Sequence, residues 1–233
     1  MSDTSTLTAI RLADSFLPVG TYTASYGIEQ YINEGRIETA DELGELIEAY
    51  LRRIVGPADT VALANAHRAA EDGSLDGVLA ADERLHAATL PAEFRNSSTK
   101  AGNTLMDLIL ETDPELLDDG VSADYAEAVV AGETPGSHPV VLGCVTQSAG
   151  IDRETACLVG AYSFITELLG AAQRLGRFGH TDIQAQLTRL LSIIESVCEA
   201  YMDADLDELA SFAPLAEVMG MKHERADRRL FMS

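Results

Sequence analysis

The chain has 233 residues, which is enough to bury a substantial core as one domain or at most two. Its 38 acidic residues outnumber its 16 basic ones, and the resulting net charge of -22 excludes nucleic acid and anionic membranes as natural partners, because phosphate repels such a surface. Only Lys100 and Lys222 are lysines. This composition favours a halophilic protein that stays soluble at high salt, where repulsion between its charges is screened.

Cysteine usage indicates a reducing compartment. Cys144, Cys157 and Cys198 are odd in number, lack Cys-x-x-Cys spacing and lie in apolar stretches, so we interpret them as small buried hydrophobes. The N-terminal residues show no signal-peptide pattern, and no run of about 18 apolar residues occurs. We therefore expect a cytoplasmic protein.

The first informative segment covers residues 14–29. Pro18 and Gly20 interrupt one stretch of helical periodicity, since proline fixes φ and glycine tolerates a positive φ. The next stretch then places three polar side chains on one helical face: Tyr22, Ser25 and Glu29. This pattern predicts a joint between two helices that presents a specific surface. The alternative is a turn between helices with a purely structural role.

Helical periodicity continues through the rest of the chain. Thr39-Ala-Asp-Glu42 has capping-box spacing and begins a clear apolar stripe, which we expect Gly56 and Pro57 to end. Further helices are predicted over residues 7–16, 22–33, 58–71, 75–89, 92–111, 122–131, 139–149, 153–175 and 181–202. No alternating β-branched runs occur. The predicted fold is all-α, a single globular domain of about nine or ten helices over residues 1–233, with a C-terminal interaction tail at about 212–233.

Enzymatic motifs are missing from the sequence. It has no Gly-x4-Gly-Lys-Ser/Thr loop for phosphates and no Gly-x-Ser-x-Gly elbow. Glu83 and His86 have the spacing of di-iron ligands, but a ferritin-like site needs that motif twice, so a surface ion pair is the simpler interpretation. Met219, Met221 and His223 likewise lack a second imidazole or thiolate nearby. We expect no catalytic residues and no intrinsically bound metal.

Two segments carry small residues at helical spacing. Arg95, Ser98, Gly102 and Leu105 share one face, where Ser98 and Gly102 permit close helix approach and Arg95 is expected at the edge as a paired charge. Residues 170–179 contain three glycines that do not follow a strand, so helix packing at a core or dimer seam is a better interpretation than phosphate binding. The residues assigned to this seam are Ala171, Ala172, Arg174, Gly176 and Gly179.

The C-terminus ends in apolar residues beside Arg228 and Arg229, where solvated polar residues are usual. Such a tail needs a surface to cover it, either on its own domain or on a partner, and both alternatives stay open. We expect removal of residues 223–233 to spare the fold, because the earlier helices supply the core.

Five segments, taken together and in order, resemble the UreF family of urease accessory proteins. They are residues 14–29 with Pro18, Gly20, Ser25, Gly27 and Glu29; Arg95, Ser98, Gly102 and Leu105; residues 138–143; residues 171–176 with Gly179, Asp182 and Gln184; and Pro214, Glu217, Met221, His223, Glu224 and residues 229–233. The chain departs from the family pattern at His180, Ile183 and Met232.

The resemblance implies an all-α, non-catalytic homodimer that acts in urease maturation. Members of the family bind the nickel-carrying GTPase UreG and the scaffold UreD, also called UreH, and have been likened to GTPase-activating proteins. The implied role is to regulate GTP-dependent nickel delivery to apo-urease within this complex, without a bound cofactor. The resemblance leaves open the stoichiometry, any nickel path, and whether GTP hydrolysis is accelerated or gated.

The resemblance also assigns two partner-binding surfaces. The GTPase-facing candidates are Pro18, Gly20, Tyr22, Ser25 and Glu29. The candidates for the scaffold-facing tail are His223, Glu224, Arg229, Leu230, Phe231 and Ser233. The alternative functions are an all-α interaction module unrelated to urease, which would not bind UreG, and a small metal enzyme, which would hold stoichiometric metal.

Overall fold

The computed structural model describes residues 2–19 and 26–225, and within these ranges it contains helices and no strand. The helices are α1 (Asp3–Ala13), α2 (Ile28–Asn33), α3 (Ala40–Tyr50), α4 (Val61–Glu71), α5 (Leu75–Ala88), α6 (Ala92–Thr112), α7 (Gly120–Ala131), α8 (His138–Ser148), α9 (Arg153–Arg174), α10 (His180–Tyr201) and α11 (Pro214–Glu224). Leu51–Thr60 form a π-helix between α3 and α4, and Pro114–Leu116 and Leu206–Glu208 form short 3₁₀ turns. The all-α prediction is confirmed.

Side-chain caps fix where the first long helices begin. Ser2 accepts a hydrogen bond from the Ser5 amide, so α1 begins four residues before the predicted start. The predicted capping box is confirmed: the Glu42 amide donates to Thr39 Oγ1 at 3.2 Å, and the Thr39 amide donates to Glu42 Oε2 at 3.0 Å.

Pro57 does not end the third helix, and the prediction that Gly56 and Pro57 would stop it is wrong. Proline removes one helical N–H, and the wider π-helical turns carry the chain through it into α4. The segment before α11 uses exposed carbonyls of this stretch: the Ala210 amide donates to Pro57 O at 3.0 Å and the Phe212 amide to Arg53 O at 3.3 Å. The π-helix that contains Pro57 therefore binds the segment before α11 through backbone hydrogen bonds.

The second helix begins at Ile28, later than the predicted residue 22. Tyr26 has φ 46° and Gly27 has φ 78°, both in the left-handed region that a right-handed helix does not contain. A single helical face from residue 22 to Glu29 is therefore not formed.

The core is one continuous cluster around α4, which packs against α5, α8, α9 and the π-helix. Gly143 lets α8 approach α4 closely, because a Cβ there would lie 2.6 Å from the carbonyl oxygen of Leu63. All three cysteines are buried as free thiols, as predicted. Helix α9 is long and apolar enough to cross a membrane by length and composition, but 56% of its most apolar window is buried in the fold, as for a central core helix.

The face of α6 that carries Gly102 packs against the loop at residues 134–137 and the start of α8. A Cβ on Gly102 would lie 2.1 Å from the Gly136 carbonyl oxygen, and Ser98 Oγ accepts from the His138 amide at 3.3 Å. The predicted close helix approach is confirmed, because Gly102 lies against the backbone at the start of α8. Arg95 was expected as a paired charge, but among the described residues its guanidinium donates to the carbonyls of Thr89 and Leu90 at 2.7 and 2.6 Å and to no carboxylate.

Candidate partner-binding site

The C-terminal segment folds back on its own domain as far as residue 225. Pro214 opens α11, in the first helical position that proline favours. The helix docks on α2 and α6 through glycine: a Cβ on Gly220 would lie 2.7 Å from the ring of Phe94, and one on Gly27 would lie 3.3 Å from the Gly220 nitrogen. Helix α11 is thus part of the packed fold, and Arg229, Leu230, Phe231 and Ser233 lie outside the described residues.

A buried charged cluster joins α11 to both helices beneath it. The His223 side chain is fully buried, with Nδ1 2.6 Å from Glu93 Oε1 and Nε2 3.1 Å from Glu29 Oε2. The Glu93 amide donates to Glu224 Oε1 at 2.8 Å, so α11 also caps the start of α6. His223, Glu224 and Glu29, which the sequence placed on partner-facing surfaces, are brought together inside the fold.

The electrostatics of this cluster favour a protonated histidine. Burial alone would lower the pKa of His223, but hydrogen bonds to Glu93 and Glu29 outweigh burial and raise the pKa above the usual 6.5. Both ring nitrogens face a carboxylate, which an imidazolium satisfies by donating twice.

The outer side of α11 is apolar and exposed. Leu215, Val218 and Met221 follow a spacing of three along the helix, and Phe212 just before it is 72% exposed. Beside this ridge, Lys222 Nζ lies 2.9 Å from Glu34 Oε1, and the hydrogen bond from Lys222 is the first of several contacts that lower the pKa of Glu34 to about 2. An exposed apolar ridge with a charged border is typical of a protein-binding surface.

The N-terminal joint is described on both sides of residues 20–25. Pro18 is exposed, and Phe16 beside it is 90% exposed. Gly20, Tyr22 and Ser25 lie outside the described residues. Tyr26 is held inside: its ring packs 4.9 Å from Phe94 and 5.0 Å from Phe164 between centroids. Among the described residues of the joint, Phe16 and Pro18 are therefore exposed, whereas Glu29 is buried.

A cavity of about 70 Å³ lies behind Tyr26, between the π-helix, α6, α8 and α9. Such a volume holds a few water molecules, since each needs roughly 10–15 Å³. Burial raises the pKa of Asp59 to about 7 and lowers the pKa of His138 to about 4, and both side chains line this cavity with Glu167. The sequence offered no signal for Asp59, because its burial follows from the π-helix.

The predicted seam at residues 170–179 divides into two parts. Ala171 and Ala172 are fully buried in the core, as expected for tight packing. Gly176 (φ 73°) and Gly179 instead shape the turn between α9 and α10, and a Cβ on Gly176 would meet no atom within 4 Å, so these glycines do not form a helix seam. Arg174 lies at the exposed edge beside Gly170.

Comparison with known proteins gives the family. The family model described as UreF matches residues 37–191. The urease accessory protein UreF of Trichodesmium erythraeum is 32% identical over 97% of this chain and 95% of its own. Urease accessory protein UreF 1 of Brucella melitensis is 30% identical over 96% of this chain and 91% of its own. The chain belongs to the UreF family. UreF of Yersinia enterocolitica is 28% identical over 95% of each chain.

The UreF family model covers only part of the buried cluster. Glu93 lies within residues 37–191, whereas Glu29 and His223 lie on either side of that range and are covered only by the full-length relatives. Of the departures from the family pattern, Ile183 is buried, and His180 faces Gln173 in the turn between α9 and α10. Met232 is beyond the described residues.

No metal centre is evident in the part of this UreF chain that the structure describes. There, no three side chains of His, Cys, Asp or Glu are grouped so that they could hold a metal ion. Glu83 is exposed on α5, and His86 is half-buried on the same helix.

Sequence reasoning missed one buried carboxylate. Asp82 is fully buried and accepts four hydrogen bonds, from Tyr125 Oη at 2.8 Å, Thr134 Oγ1 at 2.8 Å, and the amides of Gly136 and Ser137 at 2.7 and 2.9 Å. This carboxylate holds the loop on which α6 packs and from which α8 begins. A signal was present, because Asp82 lies on the apolar face of α5, four residues after Val78.

Proposed function

We propose that this chain is a urease maturation factor that binds the nickel-carrying GTPase UreG and the scaffold UreD, also called UreH, and regulates GTP-dependent nickel delivery to apo-urease. The observation that carries the proposal is similarity along nearly the whole chain to proteins named urease accessory protein UreF. We place its action in the cytoplasm, as a homodimer.

The exposed apolar ridge on α11 supports a protein partner at the C-terminal end. Leu215 and Val218 are 52% and 44% exposed, and Phe212 extends the same surface. Burying each such side chain on a partner is worth roughly 1.5–3 kcal/mol. In this proposal the ridge receives the scaffold together with the residues that follow Arg225, while Phe16 and Pro18 border the GTPase-facing side.

The proposal assigns the chemistry to the partners and not to this chain. Its sequence contains no phosphate-binding loop, and GTPases need such a loop to hold the nucleotide. A regulator of a GTPase has to bind one nucleotide state better than another, because a ligand shifts an equilibrium only by its differential affinity. We therefore propose that this chain binds no cofactor of its own and acts through the assembly.

Co-purification with UreG and UreD homologues from the same cell tests the proposal, with and without GTP and nickel. We expect both proteins to be retained, and Val218→Glu to abolish retention of the scaffold by placing a charge on the ridge. Val130→Glu is the matched control, since Val130 is an exposed valine on α7. Failure to retain either homologue would contradict the proposed function, and equal retention by the two variants would exclude the ridge.

A further inference from the structure

We propose that His223, Glu29 and Glu93 form an ionic latch that holds α11 against α2 and α6, so that the N-terminal and C-terminal partner-binding segments move as one unit. The assignment of partners to these segments rests on the proposed function. The latch itself is a property of this chain and can be tested without any partner.

The geometry of the latch favours a cation at its centre. A neutral imidazole donates one hydrogen bond, whereas an imidazolium donates two. His223 faces a carboxylate oxygen at each ring nitrogen, at 2.6 Å and 3.1 Å. Loss of the proton would leave one buried carboxylate opposite a ring nitrogen that has no hydrogen to donate, which is costly away from water.

Within the described residues, the charged groups next to the cluster on α11 and α6 have contacts of their own. On α11, Glu224 accepts from the Glu93 amide, and Lys222 pairs at the surface with Glu34, the residue just after α2. On α6, Arg95 donates to two backbone carbonyls at the helix start. Glu93 Oε2 is buried without a hydrogen-bond partner among the described residues.

The position of the latch connects the two segments. Glu29 lies three residues after Tyr26, which has a positive φ, and Gly27 contacts α11 at Gly220. His223 lies at the end of α11, just before the residues that follow Arg225. A partner that displaces α11 must separate Nε2 of His223 from Glu29, and coupling of this kind is reciprocal, so each partner changes the affinity for the other by the same factor.

The latch predicts a direction for pH dependence. Hydrogen bonds to the two carboxylates raise the pKa of His223 in the folded state above that of an unfolded histidine, near 6.5. Its stabilising contribution is therefore complete below that pH and is lost as the pH rises through the folded value. Docking of α11 should weaken as the pH rises through the folded pKa of His223.

Hydrogen exchange and side-chain NMR on the full-length protein test the latch directly. In the wild type, exchange of residues 214–225, corrected for intrinsic rates, should accelerate roughly ten- to a hundredfold as His223 deprotonates, because hydrogen bonds to charged groups are worth about 1.5–3 kcal/mol and each 1.4 kcal/mol is tenfold. In His223→Gln this acceleration should be absent. His180→Gln, at an exposed histidine, is the matched control and should keep the wild-type profile.

A second variant distinguishes the latch from a merely structural histidine. Glu93→Gln should lower the pKa of His223 measured by NMR, whereas Glu83→Gln, at an exposed glutamate of α5, should leave it unchanged. An ordinary pKa for His223 in the wild type, a pKa that Glu93→Gln does not change, or a wild-type exchange profile in His223→Gln would each overturn the proposal. The pKa of His223 measured by NMR in the wild type tests the latch even if a variant fails to fold.

The coupling between partners is measured separately. We expect the UreD homologue to change the affinity of the wild type for the UreG homologue, and this change to shrink in His223→Gln. An unchanged coupling factor in that variant would overturn the link between the segments. Loss of all partner binding in the wild type would refute the proposed function, while the exchange and NMR results would still decide the latch.

Discussion

Two truncations at the C-terminus should differ in how strongly they reduce the stability of the fold. Deleting residues 226–233 keeps every contact described above and should therefore cost less free energy of unfolding than the longer deletion does. Deleting residues 223–233 also removes His223 and Glu224. The sequence led us to expect that this longer deletion spares the fold, but the burial of His223 reverses that expectation.

The size of the difference follows from what the longer deletion leaves behind. Glu29 and Glu93, each nearly buried, lose the imidazole between them, and the Glu93 amide loses the carboxylate of Glu224. Removing one partner of a buried ion pair costs about 3–5 kcal/mol, because the remaining charge stays buried without compensation. Since small domains unfold with about 5–15 kcal/mol, such a loss is a large part of the total.

Urea unfolding followed by helical circular dichroism measures the difference, in molar KCl so that surface repulsion is screened equally in all variants. Urea is chosen because guanidinium is itself a salt. The midpoint should fall further for the longer deletion than for the shorter one. Equal midpoints for the two truncations would refute the reasoning, because they would show that the His223 contacts contribute nothing to folding.

The other predictions concern buried carboxylates, packing and salt. Asp82→Asn should destabilise by about 2–4 kcal/mol in urea unfolding, because an amide cannot accept from all four donors, whereas Asp118→Asn at the surface should change little. Asp59→Asn should stabilise by about 1–3 kcal/mol near pH 8 and little near pH 4, because burial raises the folded pKa to about 7 and ionisation above the unfolded value then opposes folding. A similar effect of Asp59→Asn at both pH values would contradict this. Ala172→Leu should cost about 1–3 kcal/mol by overpacking a fully buried position, and an unchanged melting temperature would place that residue in a looser environment. The melting temperature should fall from molar to 0.1 M KCl, since the Debye length grows from about 3 Å to about 10 Å, and a flat profile would argue against a role for surface charge.

Sequence patterns predicted the long helices well, because each depends on local periodicity and caps. The Thr39 capping box and the start of α9 after Asp152 are fixed within a few residues of chain. The π-helix at Pro57 could not be predicted in this way. Whether a proline ends a helix or widens it depends on what satisfies the freed carbonyls, and here the donors come from residues 210 and 212, far along the chain.

The candidate site was only partly predictable for the same reason. Glu29 and His223 were singled out, but they were assigned to two different surfaces, because nothing local shows that residues 194 positions apart share a hydrogen bond. Asp82 was recognisable as a polar residue on an apolar helix face, yet its donors come from α7 and a later loop. Burial of a polar side chain is a property of the assembled fold, so sequence patterns identify such residues more readily than their partners.

Salt should affect the two ionic contacts between α2 and α11 differently. The pair of Lys222 with Glu34 is 48% and 26% exposed, so molar salt screens it, and such surface pairs contribute little in any case. The contacts of His223 are buried, and mobile ions cannot enter between the imidazole and the two carboxylates. A chain with a net charge of -22 also has strong repulsion between its surface charges. High salt screens the repulsion between surface charges but leaves the buried contacts of His223 intact, so docking of α11 should strengthen with salt and still weaken as the pH rises through the folded pKa of His223.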